Sequence, residues 1–160
     1  MKIICATNMP YAQEAFQTLG TVEILPPRAI TPERLRDADA LAIRSTLRVT
    51  PELLKGSAVR FIGTATIGTD HMDLAYLDKA GIAWCAAEGC NANSVSEYVV
   101  TALLCVARRH GLTLEGKTMG IIGVGNVGRL VAEKARALGL RVLLNDPPRR
   151  DAEGGSAFTE

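Results

Sequence analysis

Residues 119–150 read MGIIGVGNVGRLVAEKARALGLRVLLNDPPRR, which is a strand, a glycine-rich turn, a helix and a second strand in succession. Apolar MGII precedes the turn, LRVLLN forms the second strand, and Gly139 marks the end of the helix between them. The helix carries apolar residues at intervals of three and four, the spacing of one helical face: Val127, Leu130, Val131, Ala135 and Leu138. This order predicts a βαβ unit of the kind that binds dinucleotides.

Three glycines of this unit have separate physical roles. Gly123 permits a tight turn after the strand, Gly125 lets a pyrophosphate approach the backbone, and Gly128 lets helix and strand pack closely. The free N–H groups at the start of the helix, together with the helix dipole, favour a phosphate there. The predicted cofactor-binding residues are Gly123, Gly125, Asn126, Val127, Gly128 and Asp146.

Asp146 follows the second strand, 23 positions after Gly123, where a carboxylate can accept hydrogen bonds from the hydroxyls of an adenosine ribose. Since the same carboxylate would repel a 2′-phosphate, the sequence favours NAD over NADP. Other interpretations stay open: Asp146 only caps the turn before the two prolines, or Arg149 and Arg150 bind a 2′-phosphate. A methyltransferase glycine loop is a further alternative for the turn.

The chain before this unit alternates short apolar runs with amphipathic segments. The predicted strands are KIICAT, TVEIL, DALAIR, VRFIG and IAWCAA, and the predicted helices are YAQEAFQTLG, TPERLRDA, TPELLKG and DLAYLDKAG. Strands that alternate with helices pair in parallel through right-handed crossovers. The predicted fold class is therefore α/β, a flavodoxin-like lobe followed by the first βαβ unit of a Rossmann NAD-binding lobe.

A long helix separates the two parts. NANSVSEYVVTALLCVARRHG predicts a helix of about 16 residues that ends at Gly111, with Ser94 and Glu97 as a capping box. The predicted organisation is a first lobe over residues 1–93, a connector helix over 94–111 and a partial nucleotide-binding lobe over 112–160.

Polar residues follow two strands of the first lobe. DALAIR delivers Arg44, Ser45 and Thr46, and VRFIG delivers the segment TATIGTDH at 64–71. Ligands of doubly wound sheets bind outside the carboxyl ends of the strands, so these loops predict a pocket for a small carboxylate or phosphate. His71 and Asp70 are adjacent in sequence and are assigned no catalytic role, because neighbours rarely pair as acid and base.

Composition excludes several classes of partner. The 160 residues carry 18 Lys and Arg against 17 Asp and Glu, a net charge of +1, so neither nucleic acid nor a membrane surface is expected. No C-x-x-C spacing is present, and only two histidines occur, so no metal site is predicted. The four cysteines are interpreted as small buried thiols of a reduced, cytoplasmic protein.

Together these motifs resemble the D-isomer-specific 2-hydroxyacid dehydrogenases. The similar stretches cover essentially the whole chain: NMPYA (8–12), DADALAIRS (37–45), FIGTATIGTDHMD (61–73), GCNANSVSEYV (89–99) and GIIGVGNVGR with LNDPPR (120–149). The glycine motif is common to the family, whereas GTATIGTDH and DPPR are more specific. The resemblance is greatest for members that oxidise 4-phospho-D-erythronate in pyridoxine biosynthesis.

The resemblance implies an activity and a site. The family members with the greatest resemblance transfer hydride from C2 of a phosphorylated 2-hydroxy acid to NAD, which gives the 2-oxo acid, and they act as homodimers. Residues 1–93 would then be the substrate-binding lobe. Asp146 matches the ribose-binding acid, Ser45 and Thr66 match substrate contacts, and four further residues are expected to line the same cleft: Arg44, Ile67, Gly68 and Asn91.

The family's catalytic Arg, Glu and His are expected beyond residue 160. The chain is thus expected to be an amino-terminal portion of a dehydrogenase, with no catalytic residue of its own and inactive in isolation. Two other functions stay open: a dehydrogenase of the D-3-phosphoglycerate type, and a non-catalytic NAD-sensing module.

Overall fold

The computed structural model describes residues 1–155 and Phe158, and the chain divides into two compact units, Met1–Glu88 and Gly89–Glu160. The first unit contains five strands, three α-helices and a 3₁₀ turn: β1 Lys2–Ala6, α1 Ala12–Phe16, β2 Thr21–Leu25, the 3₁₀ turn Pro27–Ala29, α2 Pro32–Leu35, β3 Ala40–Ile43, β4 Phe61–Thr64, α3 Leu74–Ala80 and β5 Ala83–Ala86. All strand pairs are parallel, and their order is β2-β1-β3-β4-β5. This is the flavodoxin-like order, so the predicted fold of the first lobe is confirmed.

The centre of this sheet is apolar on both faces, which explains why β3 is an unbroken apolar run. On one face, Ile4, Leu41 and Ile62 pack with Leu35 and Leu77, all fully or almost fully buried. The opposite face carries smaller side chains, and helix α1 covers part of it: Ile3, Cys5, Ala40 and Ala42. The sheet's carboxyl ends are therefore held by packing on both sides.

One predicted helix is wrong. Residues 51–56, in the segment TPELLKG, form turns rather than a helix. Leu54 N–H still donates to the Thr50 carbonyl at 3.2 Å, but Gly56 then adopts φ +71 and the chain leaves the helical path. The next backbone bonds have i→i+3 spacing, from Lys55 to the Glu52 carbonyl at 3.3 Å and from Ser57 to the Leu54 carbonyl at 3.1 Å, so the α-helical pattern is not repeated. The similar start at Thr31-Pro32 does lead into α2, as predicted.

The second unit contains the predicted βαβ element. Its elements are α4 Ala92–Arg109, β6 Thr118–Ile122, α5 Asn126–Ala137, β7 Arg141–Asn145 and α6 Pro147–Glu153. β6 and β7 pair in parallel from Thr118 opposite Arg141 to Ile122 opposite Asn145. Apolar side chains of both strands, the glycine turn and α5 form its core: Ile121, Val124, Val131, Ala132 and Leu144.

Helix α4 differs from the prediction at its start. It begins at Ala92, after Asn91, so Ser94 lies inside the first turn and does not cap it; Glu97 accepts a hydrogen bond from the Asn93 amide at 2.7 Å instead. α4 packs on α5, where the Lys134 ammonium donates to Asn93 at 2.9 Å.

Because of this packing, α4 belongs to the second compact unit, and the division falls after Glu88 rather than at residue 93. Of the lobe predicted over 112–160, positions 156, 157, 159 and 160 lie outside the described residues.

The cysteine prediction is wrong for three positions. Cys5 is buried in β1, and burial raises the pKa of its thiol, whereas Cys85, Cys90 and Cys105 are exposed. None of the helices among residues 1–155 has the length and apolar character of a membrane span.

Candidate functional site

The glycine turn of the second unit has an open centre and a tight base. Gly123 adopts φ +85 and donates its N–H to the Asn145 carbonyl at 2.8 Å, so the turn needs a residue without a Cβ. A Cβ on Gly128 would lie 2.0 Å from the Gly123 carbonyl oxygen, which confirms that the helix approaches the strand too closely for any other residue. By contrast, a Cβ on Gly125 would meet nothing within 4 Å. The backbone at Gly125 is therefore open on the side where a Cβ would lie.

Asn126 and Val127 begin helix α5 in different surroundings. The Asn126 side chain packs beside Gly89, where an added Cβ would lie 3.0 Å from its Nδ2. Val127 packs its side chain against the core of the second unit. Any contribution of Val127 to a ligand therefore comes from its backbone N–H in the first helical turn.

Asp146 connects the end of β7 with the glycine turn. Its Oδ2 accepts from the Val124 N–H at 2.7 Å, and its Oδ1 accepts from the Arg149 N–H at 3.2 Å, which caps α6. A carboxylate accepts about four hydrogen bonds, so capping leaves acceptor capacity for a ligand. The capping interpretation and the ribose-binding interpretation are therefore compatible.

Arg149 is engaged within its own helix. Its guanidinium donates to both carboxylate oxygens of Glu153, at 2.7 and 2.8 Å, and also to the Val124 carbonyl. Arg150 pairs with Asp151 at 3.4 Å. A 2′-phosphate would have to displace Glu153 before it could bind Arg149 in a bidentate manner.

The first unit has a polar cavity of about 380 Å³ at the carboxyl ends of β3 and β4. Three of the predicted substrate residues line it: Ser45, Thr66 and Gly68. Three residues that the sequence did not assign also line it: Arg48, Asp70 and His71. All six belong to the two loops that follow β3 and β4. Their position in these loops is the sequence feature that could have identified the three unassigned residues.

Arg44, Ile67 and Asn91 do not line this cavity. Arg44 donates to the Asn8 carbonyl at 3.4 Å, Ile67 has 43% of its surface exposed, and Asn91 precedes α4 in the second unit. Their roles in substrate binding stay predictions.

Three side chains at the cavity form a continuous row of hydrogen bonds, called here the hydroxyl row: His71, Thr64 and Thr66. His71 and Thr66 line the cavity, and Thr64 lies between them in the row. The His71 Nε2 lies 3.0 Å from the Thr64 hydroxyl, which lies 2.7 Å from the Thr66 hydroxyl. Thr66 donates to the Gly68 carbonyl at 3.0 Å. His71 and Thr64 are buried, with 9% and 3% exposure. Burial lowers the pKa of His71, and the nearby negative charge of Asp70 opposes that shift.

Asn8 supplies a further polar group after β1. Its Nδ2 donates to the Thr46 hydroxyl at 2.7 Å, while its buried Oδ1 has no hydrogen-bond partner among the residues that the structure describes. A buried oxygen without a partner costs free energy unless a ligand or water supplies a donor. Sequence reasoning did not assign Asn8 a role.

A second cavity of about 610 Å³ lies on the sheet face that carries the small side chains. Its lining is almost wholly apolar and includes Phe16, Phe61 and Cys85. None of its lining side chains is charged.

Comparison with protein families agrees with this geometry. The model of the family described as D-isomer specific 2-hydroxyacid dehydrogenase, catalytic domain, matches residues 2–159. The chain belongs to this family. That membership accounts for the coexistence of a flavodoxin-like unit and a Rossmann-type βαβ element in one chain.

Two curated relatives are erythronate-4-phosphate dehydrogenases. The chain is 53% identical to the protein of Klebsiella pneumoniae (strain 342) over 94% of its own length and 40% of the relative's. It is 51% identical to the protein of Photorhabdus laumondii subsp. laumondii over 99% of its own length and 42% of the relative's. The chain thus spans about two fifths of the length of the curated relatives that it matches.

A solved structure with NAD⁺ bound is also similar. The 3-phosphoglycerate dehydrogenase of Entamoeba histolytica superposes with a TM-score of 0.71 at 28% identity, over 92% of this chain and 54% of that one.

Proposed function

We propose that the chain provides the substrate-binding lobe and the first part of the cofactor-binding lobe of an enzyme that oxidises 4-phospho-D-erythronate to its 2-oxo acid with NAD. The identity of 51–53% with erythronate-4-phosphate dehydrogenases over almost the whole chain carries this proposal. The 3-phosphoglycerate dehydrogenase is only 28% identical. That difference favours the four-carbon acid over 3-phosphoglycerate.

The residues of the glycine turn fit a dinucleotide. The open space beside Gly125 admits a pyrophosphate to the backbone, and the N–H groups of the first turn of α5 favour its negative charge. Asp146 retains acceptor capacity for ribose hydroxyls. NAD, when bound, supplies the hydride acceptor.

NAD fits this segment better than NADP. The Asp146 carboxylate is held at the turn by Val124, and it would face the 2′-phosphate of NADP with a like charge. The Glu153 carboxylate already neutralises Arg149. The NAD⁺-bound relative supports the same choice.

The polar cavity of the first unit fits a hydroxylated acid. Arg48 supplies a positive charge for a carboxylate or phosphate, whereas Asp70 accepts hydrogen bonds from hydroxyl groups. Ser45 and Thr66 add hydroxyls on the same wall. A phosphorylated 2-hydroxy acid presents both kinds of group.

The described side chains suggest binding and orientation rather than proton transfer. Oxidation of a hydroxyl requires a base close to its proton. The Nε2 of His71 is hydrogen-bonded to the Thr64 hydroxyl, and the base of the reaction is expected beyond residue 160. We therefore assign no catalytic residue to this chain.

Turnover by the product of the complete reading frame tests the proposal. NADH formation, measured by absorbance, is expected with 4-phospho-D-erythronate at a kcat/KM at least about tenfold higher than with D-3-phosphoglycerate, since one well-placed hydrogen bond is worth about that factor. Equal or faster oxidation of D-3-phosphoglycerate would reject the substrate assignment.

Titration of the 160-residue chain with NAD addresses the remaining alternative. A non-catalytic sensor requires this chain to bind NAD by itself. A Kd below about 100 µM, or −5.5 kcal/mol, would favour a sensor over a part of an enzyme.

A further inference from the structure

The protons of the hydroxyl row can be placed from its hydrogen bonds alone. A threonine hydroxyl has one proton to donate, and a carbonyl oxygen can only accept. The Thr66 hydroxyl donates its proton to the Gly68 carbonyl, so Thr64 must be the donor in the bond between the two threonines. The proton of Thr64 is then already used in that bond, so the His71 Nε2 must be the donor in the bond to Thr64. The row therefore requires His71 to carry a proton on Nε2.

This direction determines what Thr66 offers to the cavity. Since Thr66 accepts from Thr64 throughout, its own proton remains available for donation. It points to the Gly68 carbonyl in the described structure and can turn to an oxygen of a ligand without breaking the row. Hydrogen bonds in such a chain polarise one another, which strengthens the terminal donor.

We propose that His71 is a positioning residue that acts through Thr64 to keep Thr66 a hydrogen-bond donor toward an anionic oxygen of the substrate. This inference rests on the proposed function, because it takes the cavity as the substrate site. The opposite tautomer, with the proton on Nδ1, would reverse the row. Thr66 would then offer only a lone pair and would select a hydroxyl instead of an anionic oxygen.

The surroundings of His71 keep the neutral imidazole dominant near pH 7.5. Its pKa is lowered by burial. The charged groups that share its cavity are Asp70, whose charge opposes this shift, and Arg48. His71 and Thr66 line the cavity together with these two charged residues, whereas Thr64 does not. The Nε2 proton is therefore a property of the neutral tautomer and does not require a charged ring.

The first measurement uses the 160-residue chain without a ligand. Nitrogen-15 NMR of the imidazole side chains distinguishes protonated from unprotonated ring nitrogens, and the chain has only two histidines, so His110→Gln identifies the His71 signals. At pH 7.5 the proton is expected on Nε2 of His71, with Nδ1 unprotonated. In Thr64→Val this preference is expected to weaken. A dominant Nδ1–H tautomer in the unaltered chain overturns the proposal.

The second measurement is the affinity of the same chain for 4-phospho-D-erythronate, followed by NMR titration. His71→Leu removes the donor, whereas His71→Gln retains an amide N–H at the place of Nε2 and serves as the matched control. We expect His71→Leu and Thr66→Val to raise Kd about tenfold each, and His71→Gln to stay within about threefold of the unaltered chain. Rescue by Gln is the result that a merely space-filling role of His71 would not give.

The outcomes separate this inference from the proposed function. Suppose that the chain binds the acid, and that Thr66→Val weakens binding whereas His71→Leu does not. The positioning role of His71 is then wrong, and the assignment of the cavity to the substrate stands. If the unaltered chain shows no binding, the same variants are titrated in the protein of the complete reading frame, which includes the site residues expected beyond residue 160. No binding there overturns both the row and the assignment of this cavity to the substrate. Equal weakening by Leu and Gln also overturns the row, because packing then explains the effect.

Discussion

The Asp146 carboxylate accepts a hydrogen bond from the backbone N–H of Val124 at 2.7 Å. The two residues are 22 positions apart, and the bond joins the carboxyl ends of neighbouring parallel strands. One carboxylate thus fixes the glycine turn, caps α6 and retains acceptor capacity at the proposed ribose position. This arrangement predicts that changes at Asp146 affect cofactor choice and local stability together.

We expect Asp146→Ala to raise the Kd for NAD about tenfold or more in the complete protein, because a charged acceptor is lost. The ratio of the Kd for NADP to the Kd for NAD is expected to fall. The lost cap should also lower stability by about 1 kcal/mol. Calorimetric titration with both cofactors measures the ratio. Asp151→Ala, in the same helix, is the control. An unchanged NAD/NADP ratio in Asp146→Ala would falsify the ribose role.

Alanine substitutions at two glycines of the turn should affect different properties, stability at Gly128 and NAD binding at Gly125. Gly128→Ala is expected to destabilise the second unit by about 1–3 kcal/mol, because the new methyl group would meet the Gly123 carbonyl at 2.0 Å. Gly125→Ala enters open space and should change stability by less than about 0.5 kcal/mol. It should nevertheless weaken NAD binding, since the methyl group occupies the proposed pyrophosphate position.

Denaturant unfolding followed by NAD titration checks both glycine variants. Gly120→Ala, which also meets nothing within 4 Å, is the control. Normal NAD affinity in Gly125→Ala would place the pyrophosphate elsewhere.

Stability should fall in mild acid because of His71. Its folded-state pKa is lowered by burial, so the unfolded chain takes up the proton first as the pH falls below about 6.5. His71 therefore leaves the free energy of unfolding unchanged above that pH. Below it, protonation of His71 in the unfolded chain lowers the free energy of unfolding progressively, until the pH reaches the folded-state pKa. His71→Gln should lose this part of the pH dependence in urea unfolding between pH 7.5 and 5, whereas His110→Gln should keep it. Identical pH profiles for all three proteins would contradict the lowered pKa.

The two-stranded sheet of the second unit should exchange its amide hydrogens faster than the five-stranded sheet. Ile122 and Leu143 are 88% and 47% exposed, and two strands alone bury little apolar surface. Hydrogen exchange by mass spectrometry should show lower protection in Thr118–Ile122 and Arg141–Asn145 than in Ala40–Ile43. Equal protection in the isolated chain would show that α4 and α5 stabilise the small sheet more than its size suggests.

Local patterns predicted most of the fold. The apolar runs of β1 and β3, the Thr-Pro start of α2 and the glycine stop after α3 each depend on neighbours in sequence, and all appear in the structure. The failures have physical causes. In segment 51–56, Gly56 at φ +71 leaves the helical path after one i→i+4 bond. Ser94 does not cap α4, because the helix already begins at Ala92.

The candidate site was predicted only in part. Ser45, Thr66 and Gly68 share a cavity because they follow adjacent parallel strands, which strand order makes predictable. Arg48 and His71 were not predicted, because loop paths decide which side chains turn inward. His71 was set aside as a neighbour of Asp70, yet its partner is Thr64, seven residues earlier.

The sequence by itself determined the parallel αβ order, the glycine turn and the acid after β7, because periodicity, φ freedom and charge are properties of short segments. Only the tertiary structure decided which groups hydrogen-bond across distant loops: Asp146 with Val124, and His71 through Thr64 to Thr66. Those bonds depend on distances between groups that packing brings together from separate segments. Their direction follows from counting protons once the distances are known.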